Sequence, residues 1–231
     1  MLDNYFDKVY VITTINSERV DYCRKQLEKA GIKNYEFATS VDYRIIDNRF
    51  QTCVHPNVPA QKYMSLCANN ISLIQSAIYN KYDNICICED DIFFKDDYKP
   101  KLKDFMNNIP ENWDMLNLGY LNEENELIQE NKYVYKQAGT YYGTQCVVYK
   151  NTIYSKIIEF YYKYVCNVPI DWAGRDLCKQ FNVYIPVEKF IYQVSRDYGD
   201  YNLNRSNSDV MFDSLIINRE IPSYYLSREN N

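Results

Sequence analysis

The sequence lacks the cysteine and histidine spacing of a structural zinc site. It has one histidine, His55, and its eight cysteines include no Cys-x-x-Cys pair,. Cys86 and Cys88 point to the same face of one predicted strand,. The first residues carry no secretion signal, so we expect an unexported protein with reduced thiols. We therefore predict cysteines that pack as small apolar side chains, and no structural zinc.

The sequence also lacks a basic excess and a long apolar run. Its 26 basic residues stand against 31 acidic ones, a net charge of −5. This balance argues against a nucleic-acid or membrane-surface binder. No apolar run is long enough to span a bilayer, so we expect no transmembrane segment. We predict a cytoplasmic location in a bacterial cell or, for a viral gene, in the host cell or virion; the oligomeric state stays open.

The sequence does contain an apolar strand that ends in three acids. Residues 85–88 read Ile-Cys-Ile-Cys, and Glu89, Asp90 and Asp91 follow them. Such a strand is buried in a sheet, and ligands of open α/β sheets bind beyond the carboxyl ends of the strands. Carboxylates suit Mg²⁺ or Mn²⁺, which also bind nucleotide phosphates. The segment is thus a candidate metal site; the alternative is a solvated acidic turn.

Strand and helix patterns alternate along the chain, which favours an α/β sheet. We predict one domain over residues 1–231, whose polar C-terminal tail, 195–231, is a candidate cover for the site. A buried stripe of Val20, Cys23, Leu27 and Ala30 marks the first helix, which ends at Gly31,. Strands are predicted at 9–13, 35–39, 85–89, 113–119 and 142–149, and a further helix at 153–164. Another helix is predicted at 65–79, with Leu66, Leu73, Ile74, Ala77 and Ile78 on its buried side and Asn70 on the same stripe,. An irregular loop is predicted at 42–63 and a charged connector at 122–132.

The order of these motifs resembles glycosyltransferase family 25, which includes lipooligosaccharide and collagen galactosyltransferases. The family places a Cys-x-x-Ser-His helix before a Glu-Asp-Asp strand end, and this chain has Cys67 with Asn69-Asn70 and then Glu89-Asp90-Asp91. The likeness covers most of the chain. The other matching segments are 9–12, 17–20, 37–42, 143–145 and 169–172, with Gln193 and Ser208-Asp209 near the end.

The resemblance implies a single-domain GT-A type fold, a Rossmann-like mixed sheet flanked by helices. It implies transfer of a sugar, such as galactose or glucose, from a nucleotide-sugar donor to a hydroxyl of a glycan or protein. The donor is typically uridine-linked, the anomeric carbon is inverted, and Mn²⁺ or Mg²⁺ assists. Lipopolysaccharide biosynthesis is the corresponding pathway class.

Roles for individual residues follow from fitting this chemistry to the chain. Glu89 and Asp91 are the candidate metal ligands, with Asp90 beside them. Asp171 is the candidate general base for the acceptor hydroxyl; its alternative role is to cap the next helix, and Asp176 is a weaker candidate base. The remaining candidate cofactor-binding residues are Thr13, Thr14, Arg19, Thr39 and Asn70.

Two other functions remain open. Asn69-Asn70 replaces the Ser-His of the family pattern, so a catalytically degenerate domain that only binds a sugar or nucleotide is one alternative. A Mg²⁺-dependent phosphoryl-transfer enzyme is the other. That enzyme would need a nucleophilic Asp or a phosphate-binding loop, and the sequence has neither Asp-x-Asp-x-Thr nor Gly-x-x-x-x-Gly-Lys-Ser/Thr,.

Overall fold

A computed structural model describes residues 1–13, 19–38, 45–46, 60–120, 126–139, 143–164 and 174–193. The chain divides into two compact units, Met1–Tyr192 and Gln193–Asn231. Nearly all of the second unit, including the predicted tail, lies outside the described residues. The single-domain organisation therefore stays a prediction.

Helices and strands alternate through the first unit. The helices are α1 (Arg19–Ala30), α2 (Ala60–Asn80), α3 (Tyr98–Asn108), α4 (Tyr154–Tyr164) and α5 (Gly174–Gln180). The strands are β1 (Lys8–Ile12), β2 (Tyr35–Ala38), β3 (Asn84–Glu89), β4 (Ile92–Phe94), β5 (Met115–Asn117), β6 (Leu127–Gln129), β7 (Val134–Gln137), β8 (Cys146–Lys150), β9 (Val183–Pro186) and β10 (Ile191–Gln193).

Eight strands form one mixed sheet in the order β2-β1-β3-β8-β5-β9-β7-β6, and β4 pairs with β10 in a second, two-stranded sheet. β1 runs parallel to β2 and β3, and β5 runs parallel to β9. β8 lies antiparallel between β3 and β5. The carboxyl ends of β1, β3 and β5 and the amino end of β8 consequently meet at the same edge of the sheet.

Apolar side chains cover both faces of the sheet. Alternation along β3 sends Ile85 and Ile87 to one core and Cys86 and Cys88 to the other,. The first core contains side chains of α2, α4 and α5, and the second contains side chains of α1, α3 and β4. Burial on both faces explains why β3 is apolar without interruption up to Glu89.

The predicted α/β class, a mixed sheet flanked by helices, is confirmed. The stripe on α1 is confirmed at Cys23, Leu27 and Ala30, which are buried, while Val20 is only partly buried. The six described cysteines are free and buried, as expected. Within the described ranges, no helix combines the length and apolarity that crossing a membrane requires.

Three local predictions were wrong. The loop predicted to reach residue 63 ends earlier, because α2 begins at Ala60. Ile78, predicted on the buried side of α2, is 46% exposed, because the buried stripe of the helix ends at Ala77. The charged connector contains β6, which forms by pairing with β7. A three-residue edge strand depends on its partner strand rather than on its own composition.

Candidate active site

Parallel pairing places the end of β1 beside the acid-rich end of β3. Ile12 pairs with Glu89, so Thr13, the next residue, stands next to the turn that carries Asp90 and Asp91. The amide of Thr13 donates to the carbonyl of Ala38, 3.1 Å away, which extends the β1–β2 pairing by one residue. The backbone of three strands thereby fixes the position of Thr13.

Thr13 and Arg19 both contact the acid turn. The Thr13 hydroxyl donates to Asp90 Oδ2 over 2.7 Å, and both side chains are buried. Arg19 Nη1 lies 3.3 Å from Asp90 Oδ1 and 3.3 Å from Asp91 Oδ2. Thr13 follows β1 and Arg19 opens α1, so the end of one element and the start of the next bring a hydroxyl and a cation to the two carboxylates. Thr13, Arg19, Asp90 and Asp91 form what we call the acid site.

The acid site holds two carboxylates close to one guanidinium. Arg19 contacts Asp90 and Asp91 through the same nitrogen, Nη1, so the two carboxylates lie near one another. Asp91 is almost buried, with 5% of its side chain exposed, whereas Arg19 is 32% exposed. Two buried carboxylates this close to one another form a candidate position for a metal cation.

Glu89 is directed toward β8 instead. Its carboxylate Oε1 accepts the Thr144 hydroxyl over 2.6 Å, and its amide donates to the carbonyl of Gln145 over 2.9 Å. Sequence reasoning quoted residues 143–145 only as a motif and gave Thr144 no role. The contact depends on the antiparallel β3–β8 register, which no local pattern in the sequence encodes.

Asn117, at the end of β5, is a buried polar residue that sequence reasoning missed. It is fully buried, and its Nδ2 donates to the carbonyl of Gly143 over 3.1 Å. Gly143 has φ +87°, a left-handed conformation that favours glycine. Asn117 therefore anchors Gly143, the residue before Thr144, whose hydroxyl contacts Glu89. An asparagine in an otherwise apolar strand was the available signal.

Asn70 lies on the buried side of α2, as predicted, and is 4% exposed. Its Nδ2 donates to the carbonyl of Leu66 one turn earlier, 2.9 Å away. Asn69, also buried, donates to the Ser65 hydroxyl over 3.4 Å. The contacts of both amides within their own helix are structural, and a ligand-binding role for Asn70 stays a prediction.

Three of the predicted site residues, Thr14, Thr39 and Asp171, lie outside the described part of the chain. The weaker candidate base, Asp176, is described in α5. Its carboxylate accepts a hydrogen bond from the Tyr164 hydroxyl and lies 3.9 Å from Lys179 Nζ. These contacts give Asp176 a structural role in joining α5 to the end of α4.

The oxygen ligands of the acid site fit a divalent cation that also binds a phosphate. Mg²⁺ is usually held by one or two carboxylates together with substrate phosphates and water. Asp90 and Asp91 supply such a pair, since both reach the same guanidinium nitrogen. A complete protein cage would need at least three His, Cys, Asp or Glu ligand atoms close together. Among the described residues, the one such group with all ligand atoms within 4.8 Å of one another is Cys86, Cys88 and Cys146. The acid site therefore offers two carboxylates rather than a complete protein cage.

The sequence pattern of one protein family matches most of the chain. Glycosyltransferase family 25 (LPS biosynthesis protein) matches residues 6–169, a span that includes Thr13, Arg19 and the three acids. No curated protein matches the chain.

Solved structures with a similar fold have very different sequences. A glycosyltransferase involved in glycosylation of the major capsid of PBCV-1 is 8% identical, with a TM-score of 0.49 over 86% of this chain and 99% of that one. A UDP-glucose pyrophosphorylase in complex with UDP-glucose is 9% identical, with a TM-score of 0.46 over 79% and 90%. The inositol-1-phosphate CTP transferase of T. maritima is 12% identical, with a TM-score of 0.44 over 93% and 98%. Likeness at this level does not identify an activity.

Proposed function

Because the chain belongs to glycosyltransferase family 25, we propose that it transfers a hexose from a uridine-linked nucleotide sugar to a hydroxyl of a glycan or protein. The observation that carries the proposal is the acid site itself. It lies at the carboxyl edge of the sheet, where open α/β sheets bind ligands. It combines two carboxylates with a hydroxyl and a guanidinium, the groups that a metal-bound diphosphate requires.

Arg19 is the proposed contact to the donor diphosphate, with Thr14 and Thr39 as further candidates, and Thr13 supports the site by holding Asp90. Arg19 is one-third exposed, so it can donate to a phosphate from its position at the start of α1. A guanidinium recognises phosphate oxygens through charge-assisted hydrogen bonds. The Thr13 hydroxyl fixes Asp90 Oδ2, so this contact orients a carboxylate before any ligand binds.

Asp91 is the proposed ligand of Mn²⁺ or Mg²⁺, together with Glu89 or Asp90. The shared contact with Arg19 supports Asp90 as the second ligand, while the Thr144 contact orients Glu89 toward β8. A divalent cation bound there would neutralise charge on the departing nucleotide diphosphate. The residues of the chain hold the carboxylates at a fixed position and present Arg19 to the same leaving group.

Asp171 is the proposed general base. Inversion in one displacement requires a base that takes the acceptor proton on the face opposite the leaving group. The engagement of Asp176 by Tyr164 and Lys179 supports Asp171 over Asp176 for this role.

Thermal unfolding with a panel of nucleotide diphosphates and nucleotide sugars, with and without Mn²⁺, tests the function. A ligand that binds only the folded state stabilises it by about 2.7 kcal/mol at a concentration 100 times its Kd. We expect the uridine series to raise the melting temperature only when Mn²⁺ is present. Transfer to a hydroxyl acceptor is then assayed with the stabilising donor. Stabilisation without transfer to any acceptor would indicate the degenerate binding domain, and no stabilisation would contradict the proposal.

Substitution of the proposed base separates chemistry from donor binding. We expect Asp171→Asn to lower the transfer rate by at least about 100-fold, with the donor-induced thermal shift retained. Asp176→Asn is the matched control, since it removes a carboxylate that contacts Tyr164, and it should lower stability more than turnover. Full transfer activity in Asp171→Asn would rule out the assigned base.

A further inference from the structure

Three cysteines meet in the core beneath the acid site. The Sγ atoms of Cys86 and Cys146 are 3.5 Å apart, those of Cys88 and Cys146 are 3.5 Å apart, and those of Cys86 and Cys88 are 3.9 Å apart. All three residues are fully buried. We call these three residues the thiol cluster.

Strand geometry explains why these thiols converge. Cys86 and Cys88 are two residues apart in β3 and point to the same face. Cys146, the first residue of β8, is in register with Cys88. The Cys146 carbonyl accepts the amides of Leu118 and Gly119, on the side of β8 that faces away from β3. Cys88 and Cys146 are therefore a non-hydrogen-bonded pair of the β3–β8 ladder. Side chains approach most closely in pairs of this kind.

The spacing of the three sulfurs matches that of a metal centre. A metal–sulfur bond of about 2.3 Å places the sulfurs of a planar three-coordinate site roughly 4.0 Å apart and those of a tetrahedral site roughly 3.8 Å apart. The observed separations of 3.5, 3.5 and 3.9 Å lie within about 0.5 Å of both values. A disulfide would need about 2.05 Å between two of the sulfurs, a much larger movement.

The identity of the ion follows from the ligands and their surroundings. Three sulfurs select a soft ion. Structural Zn²⁺ almost always takes four ligands, and in the described part of the chain the group of ligand atoms within 4.8 Å consists of these three sulfurs. The neighbouring core side chains Val11, Leu116 and Leu118 are apolar and supply no fourth ligand, so the three sulfurs favour Cu(I) over Zn²⁺.

We propose that the thiol cluster binds one Cu(I) ion through Cys86, Cys88 and Cys146. Binding needs no electron transfer: the thiols lose their protons to solvent as the ion binds, and the resulting thiolates donate electron pairs to the ion. This site is separate from the acid site, and it does not depend on sugar transfer.

An occupied cluster would fasten β3 to β8 directly below the acid site. Cys88 precedes Glu89, and Cys146 follows Gln145, whose carbonyl accepts the Glu89 amide. The ion would therefore fix the strand register that joins Glu89 to Thr144. Its expected effect is stabilisation of the fold, because it binds the folded arrangement of three residues from two strands.

Competition for Cu(I) with bicinchoninate tests the proposal on the fully reduced protein under anaerobic conditions. We expect the folded wild-type chain to withdraw one equivalent of Cu(I) from the chelator and to melt at a higher temperature when loaded. X-ray absorption should give three sulfur neighbours at about 2.3 Å. Failure to bind Cu(I), or a spectrum with fewer than three sulfurs, would overturn the proposal.

Single substitutions locate the site. We expect Cys146→Ser and Cys86→Ser to weaken Cu(I) binding by more than the roughly 10- to 100-fold that loss of an outer-shell partner costs. Cys67→Ser is the matched control, since Cys67 is an equally buried thiol that belongs to the other core. Equal loss in the control would overturn the proposal, as would retained binding in Cys146→Ser. If a substituted chain does not fold, the wild-type absorption spectrum still decides the sulfur count.

Discussion

At the scale of single residues, the arrangement around Arg19 defines the chemistry of the site. One guanidinium nitrogen serves two carboxylates on a neighbouring turn, with both contacts at 3.3 Å. These contacts are long, and Arg19 is partly exposed, so their contribution to folding is small. In the proposed function they place a cation and two hard oxygen ligands together, where a diphosphate can meet both.

Asp91 is the residue on which the proposed metal use depends most. We expect Asp91→Asn, which preserves shape and removes the charge, to lower transfer by roughly 100-fold or more and to abolish the Mn²⁺-dependent thermal shift. Asp96→Asn is the control, because Asp96 is 88% exposed and pairs with Lys29. Donor binding that keeps its Mn²⁺ dependence in Asp91→Asn would contradict the metal role.

Arg19 should be required for affinity to the donor diphosphate. A hydrogen bond to a charged group contributes about 1.5–3 kcal/mol, so Arg19→Gln is expected to raise the Kd for nucleotide diphosphate by roughly 10- to 100-fold, measured by calorimetry. Arg24→Gln is the matched control on the same helix, since Arg24 pairs with Asp21 and is 46% exposed. Equal affinity in both variants would remove Arg19 from the donor site.

At the scale of elements, local pattern predicted those strands and helices that carry their own signal. The strand at residues 85–89 was recognised because it is continuously apolar and ends abruptly in acids, and β3 is found at Asn84–Glu89. Sequence reasoning gave no prediction for α3, β4 or β9 and placed β6 in a connector. β4 and β6 are three-residue strands, too short for a period-2 pattern, and pairing with distant strands stabilises them.

The central strand should contribute far more stability than the edge of the sheet. Ile85 in β3 is fully buried, whereas Ile128 in β6 is 54% exposed. We expect Ile85→Ala to lower the free energy of unfolding by about 2–5 kcal/mol through lost burial and a cavity. The same change at Ile128 should cost less than about 0.5 kcal/mol. Urea denaturation of both variants measures the difference, and similar midpoints would contradict the burial of β3.

At the scale of the whole molecule, buried tyrosines make stability depend on alkaline pH. Burial raises the pKa of Tyr98, Tyr149 and Tyr154 above the ordinary value. The folded chain thus holds these protons more tightly than the unfolded chain does. Stability is complete below the unfolded tyrosine pKa of about 10 and is lost as the pH rises toward the folded pKa.

We expect the urea midpoint to fall between about pH 8 and about pH 10.5. Tyr149→Phe should reduce that fall, at a cost of roughly 1 kcal/mol at the lower pH, because its hydroxyl shares a 2.8 Å hydrogen bond with that of Tyr161,. Tyr79→Phe is the control, since Tyr79 is 86% exposed, and it should leave the pH dependence unchanged. A midpoint that stays constant over this range would contradict the linkage.

The sequence by itself determined the α/β class, the acid-rich end of β3 and the family. These features depend on residues adjacent in the chain, where the apolar period and the order of motifs can be read directly. Only the tertiary structure decided that Arg19 and Thr13 contact the acids, that Thr144 contacts Glu89, and that Cys146 joins Cys86 and Cys88. Those contacts depend on β8 entering antiparallel between β3 and β5 and on the start of α1 lying beside the end of β3. Pairing between distant strands is selected by the packing of the whole core, which local sequence does not encode.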